Sequence, residues 1–420
     1  MQSKQKIARR VRALAENRLV LAVEDWRGSA ILRKAGKSHV PAHHSDAHIL
    51  LAPPGAGNIG DQAMVEAFVA SVSGPVLIIT RRAGDVGEMP QELADRSTVV
   101  AMPGLLYGLP WQHLRDLRRL APRLRGALSF SVVGADIMDG AYWESPSVRR
   151  FRLARFAAEL GVDARVLGFS WNDAPSPAAR REMVRASRAL DLLARDPKSV
   201  SRLIADGGER VVPVADIALL TEPRPITEIG LEGWCTEQRS EGRRIVLLNS
   251  NGLIEASSGL VDTYEALINS PVGSSCAFVA LPHVSRGVPS DIDLVDALME
   301  KVGDTAEVFP IRRLLSPGEV ASLASLADLA VTGRMHLSIL SASVGTPTVT
   351  VGYQGKVAGF YELLGTSSFI NGGAEARRGL LSLVEESLRN LDELTSTVEL
   401  AREGLRDKAR RNVAGLDRAR

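Results

Sequence analysis

Short apolar runs alternate along this chain with longer stretches whose apolar positions recur at helical spacing. The first run, at 47–52 (AHILLA), is followed by helical periodicity at 61–72 and a second apolar run at 75–79. The alternation continues with strands predicted at 98–102, 129–133, 164–168, 190–194 and 211–214, separated by helices at 111–120, 147–160, 177–186 and 197–206. Residues 221–242 interrupt it with two prolines, several charges and three glycines. A second series then begins, with strands at 244–249, 277–281, 307–309, 329–331 and 348–351 and helices at 259–269, 291–302 and 317–325. From 375 onward the pattern is helical, in two pieces, with charged positions dominating its end. Strands that alternate with helices predict βαβ units and a mostly parallel sheet. The division expected is an N-terminal extension at 1–47, one α/β domain at 48–220, a linker at 221–243, a second α/β domain at 244–375 and a helical tail at 376–420. The strand ends of both domains are expected to line one cleft.

A chain of 420 residues exceeds one ordinary core, which agrees with two domains. Its 45% hydrophobic and 24% charged residues are those of a soluble globular protein. Fifty-one basic residues against 49 acidic ones leave a net charge of +2, which supports neither a nucleic-acid-binding surface nor disorder. Two distant cysteines, Cys235 and Cys276, exclude a disulfide framework and fit a reducing compartment. No apolar run approaches 18 residues, so neither a membrane span nor a secretory signal is expected; peripheral membrane contact stays open. The extension, with a basic amphipathic stretch at 4–17 and with Pro41, His43 and His44, receives no functional reading.

The richest chemistry lies in 330–362, AVTGRMHLSILSASVGTPTVTVGYQGKVAGFYE. It reads as strand, turn, helix, turn, strand. The first turn carries Gly333, Arg334 and His336, and the turn after the second strand carries Tyr353 and Lys356. In open α/β sheets the carboxyl ends of adjacent strands form the ligand crevice. Arginine offers a planar fork for carboxylate or phosphate, lysine a point charge, and histidine a proton near neutral pH. The group suggests a small, doubly anionic substrate on which a proton moves. The plainer reading, a βαβ unit with a histidine at a helix start, accounts for most of the segment but not for the clustering.

Other strand ends carry weaker signals. Pro53–Asp61 (PPGAGNIGD) satisfies G-x-G-x-x-G, but the ribose-binding acid is missing and Thr80, Arg81 and Arg82 stand in its place. The loop can hold an NADP phosphate, cap a helix through Asp61, or present Asn58 and its amides to a substrate group. Asp136, in Gly134-Ala135-Asp136, is a candidate base or sugar-hydroxyl ligand. Arg195 and Asp196 open a helix with Ser199, where a cap by Asp196 or Ser199 competes with a ligand contact. Asn249 and His283 follow strands of the second half, which makes Asn249 a candidate substrate contact and His283 a second site histidine. Neither H-x-x-x-H nor C-x-x-C occurs, so no metal is expected, and no G-x-S-x-G elbow supports a nucleophilic hydrolase.

Taken in order, Gly57-Asn58-Ile59-Gly60-Asp61, Arg195-Asp196-Pro197-Lys198-Ser199, Asp216, Gly333-Arg334-Met335-His336 and Lys356 resemble the polysaccharide pyruvyl transferase family from about 48 to 375. The C-terminal motif is the specific part. The resemblance implies two Rossmann-like domains facing across a cleft, similar to GT-B glycosyltransferases, with mostly parallel sheets and C-terminal helices. It implies transfer of the enolpyruvyl unit of phosphoenolpyruvate to two hydroxyls of a sugar, giving a pyruvate ketal. Arg334 and Lys356 would hold the donor's two anionic groups. His336 would be the general acid toward the methylene carbon, with His283 as the competing donor. Asp136 or Asp61 would deprotonate the acceptor, and Asn58, Asn249 and Arg195 would contact substrate. Ala135 departs from the family, which usually has a second glycine there.

The partners implied are phosphoenolpyruvate and a sugar or lipid-linked saccharide acceptor of a cell-surface polysaccharide. Neither metal, cofactor nor nucleic acid is among them, and a homo-oligomer stays open. The expected location is cytoplasmic, with the inner face of the membrane as an option. The alternative is a GT-B-like nucleotide-sugar glycosyltransferase, which would use the same arginine and lysine on a diphosphate. A sensor of anionic metabolites and a dinucleotide oxidoreductase rank below both.

Overall fold

A computed structural model describes residues 18–36, 46–303, 307–352 and 356–416, with residues 18, 35, 36 and 356 by backbone alone. The segments 4–17 and 37–45, with Pro41, His43 and His44, and Tyr353 lie outside the described residues.

The chain divides into two compact units. The first holds a seven-stranded sheet in the order β3-β2-β1-β4-β5-β6-β7. Its strands are β1 (His48–Leu51), β2 (Val76–Thr80), β3 (Ser97–Ala101), β4 (Ser129–Ala135), β5 (Asp163–Phe169), β6 (Asp191–Ala194) and β7 (Val211–Pro213). Every pairing is parallel. β1, β2 and β4 are buried along their whole length, which is why they read as mostly apolar runs. Phe151, Phe169 and Trp171 pack edge to face in the core, with ring centroids 6.1–6.3 Å apart.

The second unit repeats the plan with β8 (Arg244–Asn249), β9 (Cys276–Ala280), β10 (Val308–Pro310), β11 (Leu329–Thr332), β12 (Thr348–Gly352) and β13 (Phe369–Asn371). Its order is β10-β9-β8-β11-β12-β13, again all parallel. The order reverses between β8 and β11, and such a switch point leaves a crevice at the carboxyl ends of the two strands. Register places Asn249 beside Thr332, so the turns after β8 and β11 emerge side by side. The helices Ala374–Arg389 and Leu391–Arg410 close this unit, joined through Asn390.

Three features differ from the sequence reading. The helix Arg18–Gly36 is part of the first unit rather than a separate extension. Glu24 forms a buried pair with Arg149 at 2.6 Å, Asp25 meets Arg155 at 2.5 Å, and Arg152 donates to the Leu21 carbonyl. Charged side chains share this contact with the buried Leu21 and Leu32, so no continuous apolar stripe announced it. The unit boundary falls at Val214/Ala215, and the expected linker is bound within the second unit. Thr227 donates its N–H and hydroxyl to Glu319, Arg313 reaches both Glu228 and Glu319, and Leu231–Ser240 is a helix. Finally, residues 57–67 count with the second unit although their strand, β1, belongs to the first, and the chain from Arg411 counts with the first.

Candidate functional site

The site is built on the carboxyl ends of β8, β9 and β11. Thr332 donates its hydroxyl to Asn249 at 2.8 Å and accepts the Arg334 N–H at the same distance. The Gly333 carbonyl accepts from the Asn251 amide at 2.6 Å, and a Cβ at Gly333 would stand 2.7 Å from the Asn251 Cβ. Only glycine allows that approach. Arg334 thereby leaves the turn at a fixed angle, just ahead of the helix Met335–Ser343.

Its guanidinium grips Asp291. Nε and Nη2 donate to the two carboxylate oxygens at 3.1 and 2.6 Å. Asp291 also accepts the His283 and Val284 N–H groups at 3.1 and 2.9 Å, and its side chain has no exposed surface. Arg334 is 12% exposed. One buried carboxylate therefore ties the β9 turn to the β11 turn and sets the guanidinium plane. No described residue bonds Nη1, so that edge of the fork remains available to an anion.

His336 sits one residue into the following helix. Its Nε2 lies 3.7 Å from Asp216 Oδ2, in ion-pair range but beyond a hydrogen bond. The other Asp216 oxygen accepts the Ala218 N–H at 3.0 Å and caps the turn Ile217–Leu220. On the other side the imidazole meets Gly60, where a Cβ would come within 2.3 Å of Cγ and Nδ1. His283 is 1% exposed, and neither ring nitrogen has a hydrogen-bond partner among the described residues. Burial, followed by the charges of His336 and Arg334, holds it well below the usual histidine range. Its burial thus favours the neutral imidazole.

The GNIGD loop owes its glycines to this packing. Gly57 accepts the Ser285 N–H at 2.9 Å and takes a φ of 76°, and a Cβ there would strike the Ser285 hydroxyl. Asn58 pairs with Val284 across an antiparallel bridge and caps the helix Ile59–Ser71, its side chain accepting the Gly60 N–H at 3.0 Å. The cap is thus Asn58, where the helix-cap reading had named Asp61. Asp61 pairs with Arg286 at 3.1 Å.

The remaining candidates fall as follows. Asn249 is fully buried beneath the site, and its amide donates to the Leu281 carbonyl at 3.0 Å while its oxygen receives Thr332. Lys356 opens the helix Lys356–Leu364 after β12, and its side chain lies outside the described residues. Asp136 and Arg195 belong to the first unit. Asp136 accepts from Tyr142 at 3.2 Å, after an Ala135 held at a φ of 47°, a conformation that glycine would adopt without strain. Arg195 donates to Ser170 at 2.8 Å, and Asp196 is the helix cap, accepting the Ser199 N–H at 2.8 Å. Among the described residues no group of three or more His, Cys, Asp or Glu could hold a metal, and no helix is long and apolar enough to cross a membrane.

A family model described as polysaccharide pyruvyl transferase matches residues 58–355. The chain belongs to the polysaccharide pyruvyl transferase family. That match contains residues 58–61 of the GNIGD loop and the Arg334, His336, Asp216 and Asp291 group. No curated protein matches the chain. Among solved structures, Anabaena Alr3699/HepE in complex with UDP-glucose is similar at 12% identity, over 88% of this chain and 98% of that one, with a TM-score of 0.53. The S. aureus MnaA–UDP structure reaches a TM-score of 0.59 at 10% identity, over 88% and 94%. The Neisseria meningitidis UDP-GlcNAc 2-epimerase bound to UDP-GlcNAc gives 0.51 at 12%, over 88% and 98%. These likenesses establish a GT-B-type α/β fold for this pyruvyl transferase family member.

Asp291 was absent from the sequence reading. The capping pattern Ser290–Asp293 marks a helix start there, but nothing local links Asp291 to an arginine 43 positions on.

Proposed function

We propose that this family member transfers the enolpyruvyl unit of phosphoenolpyruvate to a sugar of a cell-surface polysaccharide or its lipid-linked precursor, forming a pyruvate ketal. The supporting observation is the Arg334–Asp291 clamp beside His336. A guanidinium fixed along one edge offers its other edge to the donor carboxylate or phosphate. Lys356, at the start of the helix after the next strand, is the second cation of the proposal.

His336 delivers a proton to the methylene carbon, and the π electrons form the new C–H bond. C2 becomes cationic and is captured by a sugar hydroxyl, whose proton passes to the now neutral His336. The C2–O bond to phosphate then breaks. A second hydroxyl closes the ketal, and its proton leaves with the phosphate. Asp216 Oδ2, 3.7 Å from Nε2, faces the ring that carries the proton. His283, being neutral, is a poor acid and is assigned to the wall of the donor site. No cofactor or metal takes part in this scheme. The reaction is placed in the cytoplasm, at the inner face of the membrane where a lipid-linked acceptor is used.

Solved structures with UDP-sugars favour a second reading, nucleotide-sugar glycosyl transfer. A thermal-shift titration separates the two. Phosphoenolpyruvate should stabilise the protein, by about 2.7 kcal/mol at a hundredfold excess over its dissociation constant, and UDP-sugars should not. A shift with a UDP-sugar and none with phosphoenolpyruvate would favour the glycosyltransferase.

A further inference from the structure

The second unit contains a recess of about 450 Å³ between the segment Gly365–Ser368 and the helices Ala374–Arg389 and Leu391–Arg410. Ser368 immediately precedes β13, and its carbonyl accepts the Thr350 N–H. The recess therefore opens at the amino-terminal edge of a parallel sheet. The Arg334 and His336 turns emerge at its carboxyl edge, so the recess is no part of that site.

Its lining is chemically consistent. Glu386 and Glu393 present carboxylates, Asn390 an amide, and Thr366 and Ser368 hydroxyls. None of these five side chains has a hydrogen-bond partner among the described residues, and Ser368 is only 7% exposed. Leu383 and Leu394 supply an apolar floor. Among the described residues no lysine or arginine lines the recess. Two carboxylates without a cation repel phosphate and carboxylate ligands, the donor included. Acceptors and mixed hydroxyl groups above a small apolar floor instead match a ligand rich in O–H donors with one C–H face.

We propose that this recess binds a neutral sugar unit, with Glu386 and Glu393 accepting from its hydroxyls and Leu383 and Leu394 packing against the ring. The volume suits a mono- or disaccharide. The binding itself is independent of the pyruvyl reading; only its use, holding a unit of the glycan other than the one being modified, rests on the acceptor class given above.

The test is titration of the full chain with neutral gluco-, galacto- and manno-configured oligosaccharides, followed by calorimetry or NMR, without donor. At least one should bind saturably. Glu386→Ala combined with Glu393→Ala should weaken it about tenfold or more, since hydrogen bonds to charged groups are lost. Asn390→Trp, which fills the recess from an exposed position, should abolish binding. Both variants should keep the parent's melting temperature, and His336→Gln should bind as the parent does. Absence of saturable binding by every oligosaccharide, binding unaffected by the two recess variants, or a preference for an amine such as spermidine would each overturn the proposal. Loss of phosphoenolpyruvate turnover with oligosaccharide binding intact would count against the pyruvyl reading alone.

Discussion

Replacing Asp291 by Asn tests how far the donor site depends on one buried carboxylate. Oδ2 receives Arg334 Nε, the two backbone N–H groups of His283 and Val284 and, at 3.4 Å, the Asn249 amide, whereas Oδ1 receives Arg334 Nη2 alone among the described residues. An asparagine amide is best tolerated with its oxygen in the Oδ2 position. Its NH2 then faces the Nη2 donor, and the 2.6 Å charge-assisted bond becomes a donor–donor clash. Removing one partner of a buried pair costs about 3–5 kcal/mol. Arg334 retains some exposure and can turn toward water, which places this case near ~3 kcal/mol. In a unit of 150–250 residues that lowers the unfolding midpoint by about 6–12 °C. The freed guanidinium should also lose its aim, weakening phosphoenolpyruvate binding about tenfold or more, the equivalent of one charged hydrogen bond. Calorimetric melting and isothermal titration measure the two effects. A melting temperature within about a degree of the parent, together with unchanged donor affinity, would refute the clamp. Lost stability with unchanged affinity would remove Arg334 from the donor site.

Arg334→Lys keeps the charge but not the fork, so donor affinity should fall strongly in titration; near-normal affinity would make Arg334 structural. His336→Gln should lower turnover about 10²–10⁴-fold with little effect on donor binding. The roles of the two histidines are reversed if His283→Gln abolishes turnover while His336→Gln only raises the donor's apparent KM. Gly60→Ala should impair turnover as severely as a direct change at His336, because its methyl group displaces the imidazole; full activity would mean that the loop yields freely. Burial, then the Arg149 charge, lowers His113 to about 3, and His283 is also held neutral. Both are depressed below their unfolded value near 6.5, so the stability they contribute is complete above that pH and is lost as pH falls below it. Melting temperature should therefore decline between pH 6.5 and 5, and more gently in His113→Gln. Equal slopes would mean that His113 does not contribute.

Sequence patterning located most of this fold because both sheets are parallel and buried on both faces. Strands such as HILL and VLIIT are short, wholly buried and mostly apolar runs, and their ends could be found by inspection. The turn with Arg334 and His336 was legible for that reason. What was not legible depends on distant partners. The helix Arg18–Gly36 docks through Glu24 and Asp25 onto arginines more than a hundred positions away, and its exposed Leu19, Val23 and Trp26 obscure any buried stripe. Asn249 looked like a ligand contact since it ends a strand, yet register puts it against Thr332 inside the scaffold. The glycines of the GNIGD loop resembled a dinucleotide fingerprint because that motif also requires close backbone approach. Here the approach is to Ser285 and His336, which local sequence cannot disclose.

The most direct test of pyruvyl transfer is release of inorganic phosphate from phosphoenolpyruvate by the full-length protein, across a panel of free sugars, oligosaccharides and lipid-linked saccharides. Phosphate should appear only when an acceptor with two suitably placed hydroxyls is present. It should match, mole for mole, a product heavier than the acceptor by one pyruvate less water, and His336→Gln should suppress both. Acceptor-dependent release of UDP from a UDP-sugar, with phosphoenolpyruvate left intact across the same panel, would contradict the proposed reaction.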